Sequence, residues 1–163
     1  KSFVDFFHSE FALPLGLLDT GVCGTGNLPR PDGYGVAPGA TWRMPAVHPS
    51  GLISSGSLCS TASDLARWSH LLATGRVMLP ASYVTMTTRP AALVPYALGL
   101  NVNNLLGHPA AWHEGAIDGF WSFLAYFPDR DIAVAVLTNV WPAPTDVPYD
   151  IGLTVAQAAL DSL

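Results

Sequence analysis

Lysine is all but missing from this sequence. Lys1 is the only lysine in 163 residues, and the net charge is −5. That scarcity excludes any Ser-x-x-Lys pair, in which one helical turn brings a lysine beside a serine to activate it. The arginines are scattered, so there is no basic stripe to follow a phosphate backbone, and nucleic acid is excluded as a partner. Charged residues make up 12% of the chain, about half the usual ~25%. Long apolar runs are missing too. None reaches the ~18–20 residues that span a bilayer, and the longest, residues 123–127 and 132–140, have strand length. Cysteine is limited to Cys23 and Cys59, which could pair but are too few for a disulfide framework, so two free small hydrophobes are the default reading. A Gly-x-Ser-x-Gly elbow is absent as well, because Gly51-Leu52-Ile53-Ser54-Ser55-Gly56 misses its spacing. No local signature marks a Ser/His/Asp triad.

What is present is apolar. Half the residues are hydrophobic, which fits either a well-buried domain or part of a larger one with a face normally covered. Phe3, Phe6, Phe7 and Phe11 form the stripe of an opening helix without a visible N-cap, ended by Pro14 and Gly16. This opening has helical patterning rather than that of a secretory leader. Residues 21–49 are rich in Gly and Pro, with turn signals at Gly33-Tyr34-Gly35 and Pro38-Gly39, and read as one long loop. Thr61 and Asp64 form a capping box for a helix with Leu65, Trp68, Leu71 and Leu72 inward and Gly75 at its end. A shorter helix follows Pro80 and stops before Arg89-Pro90. The period then changes to strands at 96–102, 110–115, 120–127 and 132–140, the last two joined by Pro128-Asp129-Arg130-Asp131 as a hairpin. Residues 149–163 return to helical spacing, with Ile151, Val155 and Ala159 on one face. The expected fold is α+β, an antiparallel sheet flanked by helices.

Few segments carry chemistry. His113-Glu114-Gly115-Ala116-Ile117 starts like H-E-x-x-H but has Ile at the fifth place, in a strand pattern, so no zinc site is expected. His8, His48, His70 and His108 are dispersed and read as surface or satisfied histidines. Gly21-Val22-Cys23-Gly24-Thr25-Gly26 lacks the lysine and following helix of a phosphate cradle and reads as a loop. One polar cluster remains, Trp112 through Trp121, where a histidine and two glycines close an apolar strand and aromatics flank it. By pattern alone it is equally a hairpin with a surface histidine or a site.

The order of several segments resembles that of the serine β-lactamase/penicillin-binding-protein family. Phe11-Ala12-Leu13-Pro14-Leu15-Gly16-Leu17-Leu18-Asp19-Thr20 is similar to its "PLGM-DT" segment, and Gly33-Tyr34 to its "GY". Ser55-Gly56-Ser57-Leu58-Cys59-Ser60-Thr61-Ala62-Ser63-Asp64-Leu65-Ala66 resembles its "GGL-STA-DLA" helix start, and Tyr96-Ala97-Leu98-Gly99-Leu100 its "YGLGW" strand. His113-Glu114-Gly115, Gly119-Phe120-Trp121-Ser122, Pro128-Asp129 and Val136-Leu137-Thr138-Asn139 resemble the close of that domain. In the family, Ser-x-x-Lys and Tyr-x-Asn precede the "PLGM" segment, and no tyrosine here has Asn two residues later.

The resemblance therefore implies that residues 1–163 are the C-terminal portion of one such domain, with the sheet incomplete. It implies an acyl-enzyme hydrolase acting on an ester, amide or β-lactam, with no cofactor and no metal, and with the serine nucleophile outside this chain. It assigns His113, Gly115 and the Ala116 N–H to catalysis, and Trp112, His113 and Phe120 to substrate contact. Glu114 is expected to point to the opposite face from its neighbours and is not assigned as a base. The partner implied is the upstream half of the same protein or a second copy, and the compartment periplasmic or extracellular. The alternative is a non-catalytic binding or assembly module, or an inactive fragment of such an enzyme.

Overall fold

The computed structural model describes residues 1–25, 28, 31–91, 94–141 and 147–162. The N-terminal helix runs in three registers: α1 (Phe3–Phe7), a π-helical turn (His8–Ala12) and α2 (Leu13–Leu15). Ser2 is its N-cap, accepting from the Asp5 N–H at 3.1 Å, so the helix has the cap that the sequence did not reveal. Pro14 does not end it but sits in α2, and Gly16 closes it in the left-handed conformation. A proline crowds the carbonyl four residues earlier, and the wider π turn just before Pro14 relieves that crowding.

Residues 21–49, expected as one loop, hold strand β1 (Gly21–Val22) and a hairpin, β2 (Tyr34–Ala37) and β3 (Ala40–Arg43). Pro38-Gly39 is its turn, whereas Gly35 lies inside β2. Of the glycine-dense loop, Gly26 lies outside the described residues. A 3₁₀ turn (Pro49–Leu52) leads to β4 (Leu58–Cys59), which pairs with β1. Cys23 and Cys59 are joined in a disulfide, which corrects the reading of two free thiols. The backbone pairing of β1 with β4 brings their Cα atoms to 4.9 Å, inside the range a disulfide spans, and sequence spacing carries no trace of that approach.

Thr61 caps α3 (Ala62–Ala73) by accepting from the Asp64 N–H at 3.2 Å. The reciprocal half of the capping box does not form. Asp64 accepts from the Asp19 N–H (2.9 Å) and the Thr20 hydroxyl (2.8 Å) instead, tying the helix start to the segment after α2. Helix α4 (Pro80–Thr87) follows. Residues 97–100, expected within a strand, form a turn, and β5 spans Asn101–Leu105. Strands β6 (His108–Ile117), β7 (Phe120–Phe127) and β8 (Ile132–Thr138) complete an antiparallel sheet in the order β5-β6-β7-β8.

The core lies between this sheet and the closing helix α5 (Val147–Asp161). Trp121, Phe123, Ala125 and Phe127 of β7 alternate onto that face, where Ala156 and Leu160 meet them. The buried stripe of α5 is Gly152, Ala156 and Leu160, and Ile151 and Val155 are exposed. Small residues let this helix approach the sheet; of the face expected from spacing, Ala159 packs against the core, whereas Ile151 and Val155 do not. A Cβ on Gly152 would lie 2.6 Å from the Phe123 ring. On the other face α3 packs over β7 and β8, leaving a cavity of about 30 Å³ among Trp68, Leu72, Tyr83, Leu124 and Tyr126.

Two histidine–aspartate pairs fasten the far end of the sheet. His108 Nδ1 is 2.7 Å from Asp129, and His70 of α3 is 3.0 Å from Asp131, which also accepts from the Tyr126 hydroxyl at 2.8 Å. Burial, with the adjacent Asp131, pushes Tyr126 up to about 12. The hydrogen bond from Tyr126, reinforced by His70, holds Asp131 below the ordinary carboxylate range. The bond from His108 does the same for Asp129.

Two outcomes follow. A carboxylate with a depressed folded-state pKa contributes stability above its unfolded pKa of about 4 and loses it as pH falls through the folded value. Thermal unfolding midpoints should therefore fall below about pH 4, and Asp131→Asn, whose amide tolerates the positive φ of this residue, should flatten part of that fall. The disulfide closes a loop of 36 residues. A Cys23→Ser/Cys59→Ser chain should lose about 3–4 kcal/mol in denaturant unfolding, and an unchanged midpoint would remove the bridge from the account of stability.

Candidate active site

Strand β6 is longer than the strand beside it. It pairs with β5 only over residues 108–112 and with β7 over 111–117. Residues 113–117 therefore have no partner strand on the β5 side among the described residues. His113, Gly115 and Ala116 all lie in this stretch. Gly115 and Ala116 are exposed and His113 is half-buried. An open edge of this kind presents backbone N–H and C=O groups to whatever lies along it.

Alternation along β6 divides the candidates. His113 pairs across the ladder with Leu124, and Leu124 lines the cavity beneath α3, so the imidazole is on the α3 side of the sheet. Gly115 pairs with Ser122 on that same side. A Cβ on Gly115 would stand 2.9 Å from the Ser122 hydroxyl oxygen, so the bare glycine keeps the strand surface flat. Trp112 and Glu114 point the other way. Trp112 packs at 6.1 Å from Phe123 and 5.8 Å from Tyr149, and its indole N–H donates to Asn103 at 2.8 Å. The tryptophan is thus a wall of the α5-side core, on the opposite face from His113, and the structure does not bring the two together as the sequence reading supposed. Glu114 lies on the Trp112 face, where, secondary to burial, its charge helps raise the Tyr149 hydroxyl pKa.

The β6–β7 turn is Asp118-Gly119, and Gly115 belongs to the strand before it. Gly119 meets Gly33 backbone to backbone: a Cβ on Gly119 would lie 2.6 Å from the Gly33 Cα. The same approach sets the Phe120 ring against Gly33. Phe120 therefore borders the site end of the sheet at the root of the β2–β3 hairpin, which is itself stitched to the end of β8 through Tyr34 N–H to Asn139 O (2.9 Å) and Trp141 N–H to Tyr34 O (2.8 Å).

One residue of the site was missed by sequence reasoning. The Tyr96 hydroxyl is 2.9 Å from His113 Nε2. The two are 17 positions apart, joined by tertiary folding, and no spacing rule connects them. Among the described residues no group of three or more His, Cys, Asp or Glu side chains converges as metal ligands would.

An α+β sheet with helices on both faces and a His-x-Gly strand at an open edge defines a β-lactamase/transpeptidase-like fold. The family model for Beta-lactamase matches residues 1–159, and the chain belongs to that family. It is 31% identical over 108 residues to the unguisins hydrolase of Aspergillus campestris (strain IBT 28561), an alignment covering 59% of this chain and 20% of that protein. Two solved structures share the fold. The octameric penicillin-binding protein homologue from Pyrococcus abyssi superposes with a TM-score of 0.80 at 22% identity, over 98% of this chain and 38% of that one. The D-amino acid amidase from Ochrobactrum anthropi SV3 complexed with L-phenylalanine gives 0.81 at 19% identity, over 100% and 55%. The chain thus spans about a fifth to a half of these relatives' own lengths.

The Gly33–Gly119 contact is open to test. Gly39 has a similar positive φ of 77° but open space around it, so Gly39→Ala isolates the conformational cost, roughly 1–2 kcal/mol. Gly119→Ala, at φ 82°, adds a backbone collision and should cost at least ~1–3 kcal/mol more, the scale of overpacking. Equal losses for the two would mean that the close approach carries no energy.

Proposed function

We propose that this chain forms the His-x-Gly half of a serine hydrolase site, which acts through an acyl-enzyme on an ester, amide or β-lactam. The observation that carries the reading is the edge of β6 away from β7, where His113, Gly115 and Ala116 have no partner strand among the described residues. A substrate lying along that edge meets a backbone N–H at Ala116, and one such donor aimed at a developing oxyanion is typically worth about 3–4 kcal/mol. His113 offers a polar side chain to the substrate from the α3 face, and Phe120 borders the same end of the sheet. Trp112 takes no direct part in this proposal because it lies on the other face.

The nucleophile is assigned to a Ser-x-x-Lys helix upstream in the same polypeptide, since Lys1 is the only lysine here. Support for a covered face comes from the exposed side chains of the N-terminal segment, with Leu13 at 55% and Leu18 at 72%, beside a cleft of about 450 Å³ walled by Phe7, Leu17 and Val22. Among the described residues, β8 pairs with β7 alone over Ile132–Thr138, which leaves its outer edge for further strands. The upstream residues would cover both. Made alone, the chain should self-associate through these surfaces.

A fluorophosphonate or fluorescent penicillin tests the chemistry. The 163-residue chain should remain unlabelled, and a polypeptide extended upstream through a Ser-x-x-Lys should label. In the extended polypeptide His113→Ala should lower kcat/KM on an ester by about 10- to 100-fold, the worth of one hydrogen bond to a charged group. Covalent labelling of the short chain would overturn the placement of the nucleophile. Sedimentation of the short chain as a monomer at high concentration would overturn the covered face.

A further inference from the structure

Tyr96 touches His113 from a segment whose backbone is fixed on both sides. It bridges Asn101, the Val102 N–H donates to Pro95 O at 2.7 Å, and the Ala97 N–H donates to Leu100 O at 2.8 Å. Asn101 pairs in turn with Trp112, the neighbour of His113. The phenol is therefore carried to the imidazole by a closed turn and a strand ladder. The two rings meet edge to face with centroids 5.7 Å apart, and the hydroxyl reaches Nε2 at 2.9 Å.

We propose that Tyr96 is the positioning residue of this site, donating its hydroxyl hydrogen to Nε2 and holding His113 as the neutral Nδ1–H tautomer. In a neutral imidazole one nitrogen donates and the other accepts, and the bond made by one settles which carries the proton. A phenol donates more readily than it accepts, because its oxygen lone pair is shared with the ring. Once Nε2 is occupied, Nδ1–H is the remaining polar group of the ring, and no described residue is hydrogen-bonded to it. His113 then meets its ligand as a fixed, uncharged donor, suited to a carbonyl or carboxylate oxygen of an acyl compound. It does not act as a base, because its lone pair is taken. The ligand class rests on the acyl-transfer reading above, but the tautomer does not.

Imidazole nitrogen NMR of the isotope-labelled full chain near neutral pH reads the tautomer directly, with the His113 signals assigned as those lost in His113→Gln. The expected wild-type spectrum has Nδ1 protonated and Nε2 bare, and Tyr96→Phe, which removes only the hydroxyl, moves the proton to Nε2 in most molecules. A wild-type majority of Nε2–H overturns the proposal, as does a Tyr96→Phe spectrum with the tautomer unchanged. The wild-type spectrum decides by itself if the variant does not fold. An Nδ1–H spectrum beside a serine-bearing polypeptide without acyl chemistry would sink the hydrolase reading and leave Tyr96 in place. The reverse pair of results would do the opposite.

Discussion

The contact of Phe123 with Gly152 governs the rest of this structure. The phenyl ring has no solvent exposure, because the helix above it carries hydrogen where any other residue would carry a carbon 2.6 Å from the ring. A glycine inside a helix costs roughly 0.5–1 kcal/mol against alanine, and full burial of a phenylalanine contributes about 1.5–3 kcal/mol, so the close approach is net favourable. Its larger effect is geometric. With Phe123 fixed toward α5, every odd residue of β7 faces that helix, and a one-residue slip would turn the whole apolar set outward. Pairing transmits the choice to β6. Glu114 stands opposite Phe123 and His113 opposite Leu124, so the histidine must face α3. The site's orientation is a consequence of helix packing on the other side of the sheet.

The two ends of the sheet are built from different physics. At the far end, His70, His108, Asp129, Asp131 and Tyr126 fasten turns and α3 together with hydrogen bonds between side chains, several of them exposed. Exposed pairs of this kind contribute little individually, and their role is to fix the hairpin turn against the helix. At the site end, backbone does the fastening. Gly33 meets Gly119, Tyr34 is stitched to residues 139 and 141, and Gly119 N–H donates to Trp141 O at 2.8 Å. Backbone closure at this end does not draw on the polar side chains of His113 and Tyr96, which are hydrogen-bonded to each other.

How much of this was legible in the sequence differs by residue. Strands β7 and β8 and the turn between them were, because alternating aromatic and β-branched residues around Pro128-Asp129 leave few alternatives. The start of α3 was, through Thr61. The inward face of α5 was not: Gly152 and Ala156 bury because they are small, and a count of large apolar residues selects Ile151 and Val155 instead. The disulfide was not, since two cysteines 36 residues apart become neighbours only through the pairing of β1 with β4. Asp64 shows the same limit at smaller scale. The local capping rule named it correctly as a helix-start residue, but its carboxylate went to Asp19 and Thr20 because a tertiary partner outcompeted the local one. For the site, the His-x-Gly strand was legible by resemblance. The separation of Trp112 from His113 followed from the period of two and needed only the strand assignment, and the Tyr96 contact needed the fold itself.

In the proposed site an N–H at Ala116 and an N–H on His113 would both stabilise negative charge that develops on an oxygen, and neither would form or break a bond. Charge stabilisation accelerates a reaction only where a nucleophile generates that charge, because the donors must bind the transition state better than the ground state. Without one, such donors can only bind a carbonyl or carboxylate oxygen and release it unchanged. The arrangement on β6 is therefore compatible with binding by itself and with catalysis only in company. If β6 is one wall of such a site, the bare Gly115, the strand edge and the imidazole bonded to Tyr96 are its part that is fixed before any ligand arrives, and preorganisation of this kind is what makes backbone donors effective when charge appears.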